Sequence, residues 1–328
     1  MTKISKKKYL VTGGTGFIGS ALVKRLINEG HAVRILDNNS RGCLKYLGDV
    51  SQKIEIIEAD ITNPKAVEEA CEGVQRVYHL AFINGTQFFY SKPERVLEVG
   101  VKGIINILDA CLTKGIKEIL LMSSSEVYQT PSHIPTNETV SLSIPDPFNP
   151  RYSYGGAKII SELLTIHYGR KYFDHVIIIR PHNVYGPQMG WEHVIPQFIV
   201  RMKELCKNNL SKQVELPIQG SGNQTRSFIY IDDFIEGTMH AMEKGEQLEI
   251  YHIGTMEEVS IFRIAQEVGK YFKKEAQVIP GDPAKGETLR RCPDISKLKK
   301  LGFHPKTSLS EGIYKTAQWY DQNERIKS

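Results

Sequence analysis

A chain of 328 residues, 41% hydrophobic and 24% charged, is long enough for one large or two ordinary domains, and its composition speaks against a disordered or fibrous class. Its net charge of +5 is scattered, and the short runs Lys6-Lys7-Lys8 and Lys299-Lys300 carry no interleaved aromatics, so no nucleic-acid partner is expected. Five widely spaced cysteines lack a C-x-x-C pattern, and no apolar stretch matches a signal h-region or a membrane span, so the expectation is a cytoplasmic protein with reduced thiols, no metal and no membrane partner.

Lys8 to Thr12 reads as a short strand that runs into Gly13-Gly14-Thr15-Gly16-Phe17-Ile18-Gly19, with an amphipathic helix from about Phe17 to Asn28. Glycines at 13, 16 and 19 permit a tight turn, close approach of backbone to a pyrophosphate, and close packing of helix on strand. The helix N-terminus adds unpaired N–H groups and the positive end of its dipole. A second strand, His31 to Leu36, ends in Asp37, where a carboxylate accepts hydrogen bonds from an adenosine ribose and disfavours a 2′-phosphate. NAD is therefore the expected cofactor, with Arg41 the nearby cation that speaks for the phosphorylated form.

A third strand, Ile54 to Glu58, leads to Asp60-Ile61, a candidate adenine contact, and a helix follows near Pro64–Cys71. A fourth strand, Arg76 to Leu80, runs into Ala81-Phe82-Ile83. This regular alternation is that of an α/β chain with a doubly wound parallel sheet. Pro93 to Leu112 reads as a helix that is apolar on nearly every side, so one side faces the sheet and the other needs a partner. A homodimer through the helices near 93–112 and 154–172 is expected.

Ile119 to Met122 is an apolar run, read as a strand buried on both faces, that ends in Ser123-Ser124-Ser125-Glu126. Ligands of open α/β sheets sit outside such strand ends. After a proline-rich loop, Tyr154 and Lys158 open another long helix four residues apart and share a face. A lysine cation there is expected to lower the phenol's pKa and make Tyr154 a usable base. Val176 to Arg180 reads as a further buried strand followed by Asn183, and the loop Gln188 to Ile195, with Trp191 and His193, is expected to cover a nucleotide base. A strand over Arg226–Ile231 puts Arg226 beside a glycine turn, suited to a diphosphate, and Gly286 to Arg291 offers a second cation, for which Arg290 is chosen. The helices near Ile261–Phe272 and Ser310–Tyr320 are read as core.

Together these segments resemble the extended short-chain dehydrogenase/reductase superfamily, in its branch of NAD-dependent nucleotide-sugar epimerases and dehydratases. The resemblance runs through TGGTGFIG, the Asp37 strand end, HLAF at 79–82, SSSEVY, YGGAK, RPHNVYGP at 180–187 and QGSGNQTRSFIYIDDF at 219–234. It implies a Rossmann-type doubly wound parallel sheet with a smaller mixed α/β C-terminal substrate-binding domain. Residues 1–182 would bind NAD, with about 228–254 returning to that domain, and 183–328 would bind a nucleotide sugar. It implies Ser124, Tyr154 and Lys158 as the catalytic triad. Gly13, Gly16, Gly19, Phe17, Ile18, Asp37, Asp60, Ile61, Leu80 and Ala81 would hold NAD. Asn183, Arg226 and Val194 would touch the substrate, with Arg290 beside them. One departure stands out: the family often has Asn where this chain has Gly100, in Gly100-Val101-Lys102-Gly103.

The shared first step of such enzymes is oxidation at sugar C4, with Tyr154 taking the hydroxyl proton and Ser124 bonding the same oxygen. Two residues beyond Ser124 along a strand end, Glu126 would lie on the same face. Family dehydratases carry glutamate here as the C5 base, so a 4,6-dehydratase is expected, with Ser125 standing where an aspartate acid often is. A 4-epimerase and an NDP-uronate decarboxylase are the alternatives, the latter disfavoured because positions 187 to 197 hold no Lys or Arg. A non-catalytic dinucleotide sensor is the reading from another class, and retention of both Tyr154 and Lys158 counts against it.

Overall fold

The continuous apolar runs become a seven-stranded parallel sheet in the computed structural model, which describes residues 7–207, 209–282 and 290–324. Lys6 and Gly286 to Leu289 of the sequence reading lie outside the described residues. The first half of the chain alternates β1 Lys8–Thr12, α1 Phe17–Asn28, β2 Ala32–Asp37, β3 Glu55–Glu58, α2 Pro64–Ala70 and β4 Arg76–His79. It continues through α3 Thr86–Ser91, α4 Pro93–Lys114, β5 Glu118–Met122, α5 Ser153–Tyr172 and β6 His175–Pro181. The sheet order is β3-β2-β1-β4-β5-β6 and then β11 Glu249–Ile253, reached through β7 Val184–Tyr185, α6 Val194–Cys206, β8 Gln213–Pro217, β9 Thr225–Ser227, β10 Ile229–Tyr230 and α7 Ile231–Lys244. Strand order reverses between β1 and β4, and a ligand crevice opens at such a switch point.

Helices cover both faces, which is why strands such as β5 (Glu-Ile-Leu-Leu-Met) read as unbroken apolar runs instead of alternating ones. The rest of the chain, β12 Glu258–Ser260, α8 Ile261–Tyr271, β13 Glu275–Ile279, β14 Arg290–Arg291, α9 Ser296–Lys300 and α10 Leu309–Gln322, completes a smaller mixed layer with the short sheets β12-β9-β14 and β13-β8. Both α8 and α10 bury apolar faces against α6. No helix among the described residues is long and apolar enough to cross a membrane.

Two expectations change. The single strand over Arg226–Ile231 is two short strands, because the chain changes sheets at Phe228: β9 pairs with β12 and β14, while β10 pairs with β7. Ile231 instead opens α7, whose first turn carries Asp232 and Asp233 at the positive end of the helix dipole. The apolar girth of α4 is also largely accounted for within the chain. It packs on α2 and on α5, and Gly100 and Gly103 let Phe82 and Ile61 approach its backbone. What stays exposed is Leu97 on α4 with Ile160 and Leu163 on α5, at 39%, 38% and 49%.

Candidate active site

The glycine loop is shaped by contacts that a side chain would forbid. Gly13 has φ +72°, and a Cβ there would stand 2.9 Å from the backbone of Ala81; a Cβ on Gly19 would collide with the Gly13 carbonyl. Gly16 caps α1, whose first turn contains Phe17 and Ile18. Asp37 ties this loop down: its carboxylate accepts from Thr15 N at 3.0 Å and from Asn39 N at 2.9 Å. Across the switch point the Leu80 and Ala81 amides both donate to Thr12 Oγ1 at 3.1 Å. That oxygen therefore has its own proton left for His79 Nδ1, 2.8 Å away.

Burial, with Lys158 adding to it, pushes His79 down to about 3 and keeps it neutral. Asp60 accepts from Thr62 N and Oγ1, from Asn38 and from Arg95. Ile61 is buried, and its carbonyl takes a bond from Asn106 at 2.8 Å. Arg41 pairs with Glu192 and lies 5.2 Å from the Phe88 ring centroid, so its charge is answered inside the protein. A backbone cradle closed to any Cβ, with a carboxylate at the β2 end and no unanswered cation from Arg41, fits NAD.

Beyond β5 the chain does not continue as a strand. Ser124 is the extended N-cap of a 3-10 turn, Ser125–Tyr128, and its Oγ accepts from Glu126 N at 3.1 Å. Glu126 thus reaches the site through a turn, and the strand alternation expected to aim it does not apply. Ser123 bonds to the buried Glu162, and Ser125 is buried in the turn. The Ser124 hydroxyl lies close enough to the Tyr154 phenol to oppose the rise in its pKa.

The Tyr154 ring is held between Phe89, stacked at 4.9 Å, and Phe82, perpendicular at 5.0 Å. Lys158 donates to the Met122 carbonyl at 2.7 Å, and its Nζ lies 3.9 Å from the Phe82 centroid. The expected depression of the Tyr154 pKa is not what the site shows. Burial pushes the phenol up, the Ser124 hydrogen bond opposes this and the Glu126 charge adds to it. Lys158 instead absorbs the effect of burial: it is pushed down to about 7, with Glu162 opposing.

Sequence reasoning missed two arginines. Burial raises the cost of charging Glu126, but Arg291, whose Nη1 donates to it at 2.5 Å, together with Arg151 and Arg226, holds its carboxyl below the usual range. Register explains why Arg291 and not Arg290 takes this place. In the β9–β14 ladder Arg291 pairs with Arg226 and Arg290 with Thr225, so Arg226 and Arg291 share one face. Arg290 is on the other face, bonded twice to Glu258 at 2.7 Å. Arg151 sits in the turn before Tyr154.

Asn183, at φ +40°, donates to the Ser227 carbonyl at 2.8 Å and so ties β7 to β9. Val194 begins α6 instead of closing a loop; before it, Trp191 packs edge-on to Tyr320 at 4.6 Å, and burial lowers the pKa of His193.

Residues 9–254 match the NAD dependent epimerase/dehydratase family. A UDP-N-acetyl-alpha-D-glucosaminuronate decarboxylase from Bacillus cytotoxicus is 34% identical over 97% of this chain and 99% of its own length. Among solved structures, a UDP-glucose 4-epimerase from Thermotoga maritima with UDP-glucose superposes with TM-score 0.85 at 28% identity, over 96% of this chain and 99% of that one. A dTDP-glucose 4,6-dehydratase from Streptomyces venezuelae with NAD bound gives TM-score 0.84 at 26% identity, over 96% and 97%. With the switch-point cradle, the Asp37 strand end and the Ser124–Tyr154 pair in place, this chain is an NAD-dependent enzyme that belongs to the epimerase/dehydratase family.

Proposed function

We propose that the protein decarboxylates a UDP-hexuronate through a 4-keto intermediate, and the observation that carries this is the Glu126–Arg291 pair beside Ser124 and Tyr154. When bound, NAD accepts the hydride from sugar C4 and later returns it. Tyr154, whose phenolate the neighbouring Lys158 ammonium and the positive nicotinamide of bound NAD would favour against the cost of burial, takes the C4 hydroxyl proton, and Ser124 beside it holds the same oxygen. A ketone at C4 makes the C5 carboxylate a β-keto acid. The C5–C6 bond then breaks, carbon dioxide leaves, and its electron pair comes to rest on the C4 oxygen as an enolate that the Tyr154 and Ser124 hydroxyls stabilise. C5 takes up a proton before the ketone is reduced.

This chemistry needs no base to remove a C5 proton. A dehydratase does need one, and a carboxylate held ionised and weakly basic by an arginine is poorly matched to that task. The guanidinium groups of Arg291, Arg151 and Arg226, which all act on Glu126, make this wall of the site cationic and suited to a substrate carrying a diphosphate and a carboxylate. Arg291 on β14, in excess with Arg151 and Arg226 over the single Glu126 carboxylate, is the candidate for the cation not found at positions 187 to 197, and the similarity to the decarboxylase from Bacillus cytotoxicus supports the same reading. The exposed Leu97, Ile160 and Leu163 on α4 and α5 support a homodimer through these helices.

The test is mass spectrometry of products after incubation with NAD and a panel of UDP-, GDP- and dTDP-hexoses and UDP-hexuronates. A product lighter by one carbon dioxide from a UDP-hexuronate is expected. Loss of water would move the assignment to the dehydratase, and an isobaric product to the epimerase. No turnover of any of them would favour the dinucleotide sensor.

A further inference from the structure

Gly100, where the family often has Asn, faces a wall. A Cβ there would stand 2.5 Å from Phe82 Cζ and 2.8 Å from Ala157 Cβ. The Phe82 ring is therefore wedged between α4 and α5 in a space that only glycine leaves open. The same ring meets both members of the proton-handling couple: its face lies under Lys158 Nζ at 3.9 Å, and it stands perpendicular to the Tyr154 ring at 5.0 Å. An ammonium as buried as that of Lys158, at 3% exposure, needs local compensation. The Met122 carbonyl provides one hydrogen bond at 2.7 Å.

We propose that Phe82 is a positioning residue of this site, its π face holding the Lys158 ammonium in its charged form against Tyr154, and that Gly100 is the small residue that admits it. An aromatic face stabilises a desolvated cation through the ring quadrupole. The proposal rests on Tyr154 and Lys158 acting as the proton-transfer couple, and it holds whichever sugar is turned over.

The groups that act on Lys158 are few. From α5 itself come Glu162, which favours the cation, and Tyr154; from β4 comes His79, kept neutral by burial. Glu162 and His79 keep their places when Phe82 is altered, and the difluoro ring, which keeps its shape, leaves the packing of Tyr154 as it is. The ring's contribution is thus readable as a shift in the Lys158 titration midpoint.

The experiment is an NMR titration of lysine-labelled full-length protein, with the Lys158 signal assigned by its loss in Lys158→Met. It compares wild type, Phe82→Leu and a protein carrying 3,5-difluorophenylalanine at position 82. Fluorination weakens the negative face with little change of shape, so it separates charge from packing. Both altered proteins are expected to lower the Lys158 midpoint by about half to one pH unit. The alkaline limb of kcat/KM should move to lower pH with it. Gly100→Ala should lower the melting temperature and the midpoint together; adding Phe82→Leu should recover the melting temperature and leave the midpoint low.

A midpoint unchanged in the difluoro protein would overturn the proposal, even if Phe82→Leu failed to fold. Because the titration needs no substrate, a wrong uronate assignment would show as absent turnover in wild type and leave this result standing.

Discussion

The proposed cofactor side and the proposed substrate side of the site are built from different material. Around Gly13, Gly19, Ala81 and Thr15, the surface is backbone, and its shape depends on what is missing: a Cβ. Around Glu126, Arg226 and Arg291, the surface is charged side chains delivered by a 3-10 turn and two very short strands. Backbone cradles are fixed by sterics within a few residues of sequence. Side-chain walls are fixed by register between segments far apart in the chain, and one step of register exchanges the residue in the site for its neighbour.

The comparison can be broken at its centre first, where both sides meet. Tyr154→Phe keeps the aromatic clamp and removes the proton acceptor, so kcat is expected to fall by roughly 10³-fold with NAD affinity retained; a fall of less than tenfold would place the base elsewhere. On the backbone side, Gly19→Ala introduces a Cβ against the Gly13 carbonyl. NAD affinity measured by calorimetry should drop by roughly 10²-fold, because the loop must move away from the pyrophosphate.

The substrate side is sharpened by two adjacent arginines. Arg291→Gln removes the cation of a part-buried pair and should lower kcat/KM by roughly 10- to 10²-fold. Arg290→Gln, on the opposite face and exposed, should change it less than about threefold. Equal effects would mean that the ladder register is not as described.

The smallest effect is a pH dependence of stability. Glu126 is held below its unfolded value of about 4.3, so the pair with Arg291 stabilises the fold above that pH and stops doing so as pH falls through the folded value. The stability difference between wild type and Glu126→Gln, about 1–3 kcal/mol near neutrality, should shrink towards zero in acid. Chemical denaturation at several pH values would read it.

The same contrast explains what was legible in the sequence. The glycines, Asp37, Ser124, Tyr154 and Lys158 sit at strand ends and helix starts whose periodicity is local, and the structure sets them after β1, β2 and β5 of one parallel sheet and at the start of α5. Glu126 was recognised, but as part of an extended strand end; the 3-10 turn that aims it depends on Ser124 capping its amide. Arg290 and Arg291 are indistinguishable in composition, and the two-residue strand that separates them gives no alternation to count. The direction of the Tyr154 shift depends on burial under Phe82 and Phe89, which come from other segments. The close approach of Phe82 to Gly100 is likewise a tertiary matter.

The most direct test of the account is release of labelled carbon dioxide from carboxyl-labelled UDP-glucuronate or its 2-acetamido counterpart, incubated with NAD and the wild-type enzyme, Tyr154→Phe or Arg291→Gln. Release by wild type, reduced in both variants, is the predicted result. Turnover of UDP-hexoses by water loss or epimerisation, with no label released from either uronate, would contradict the decarboxylase assignment.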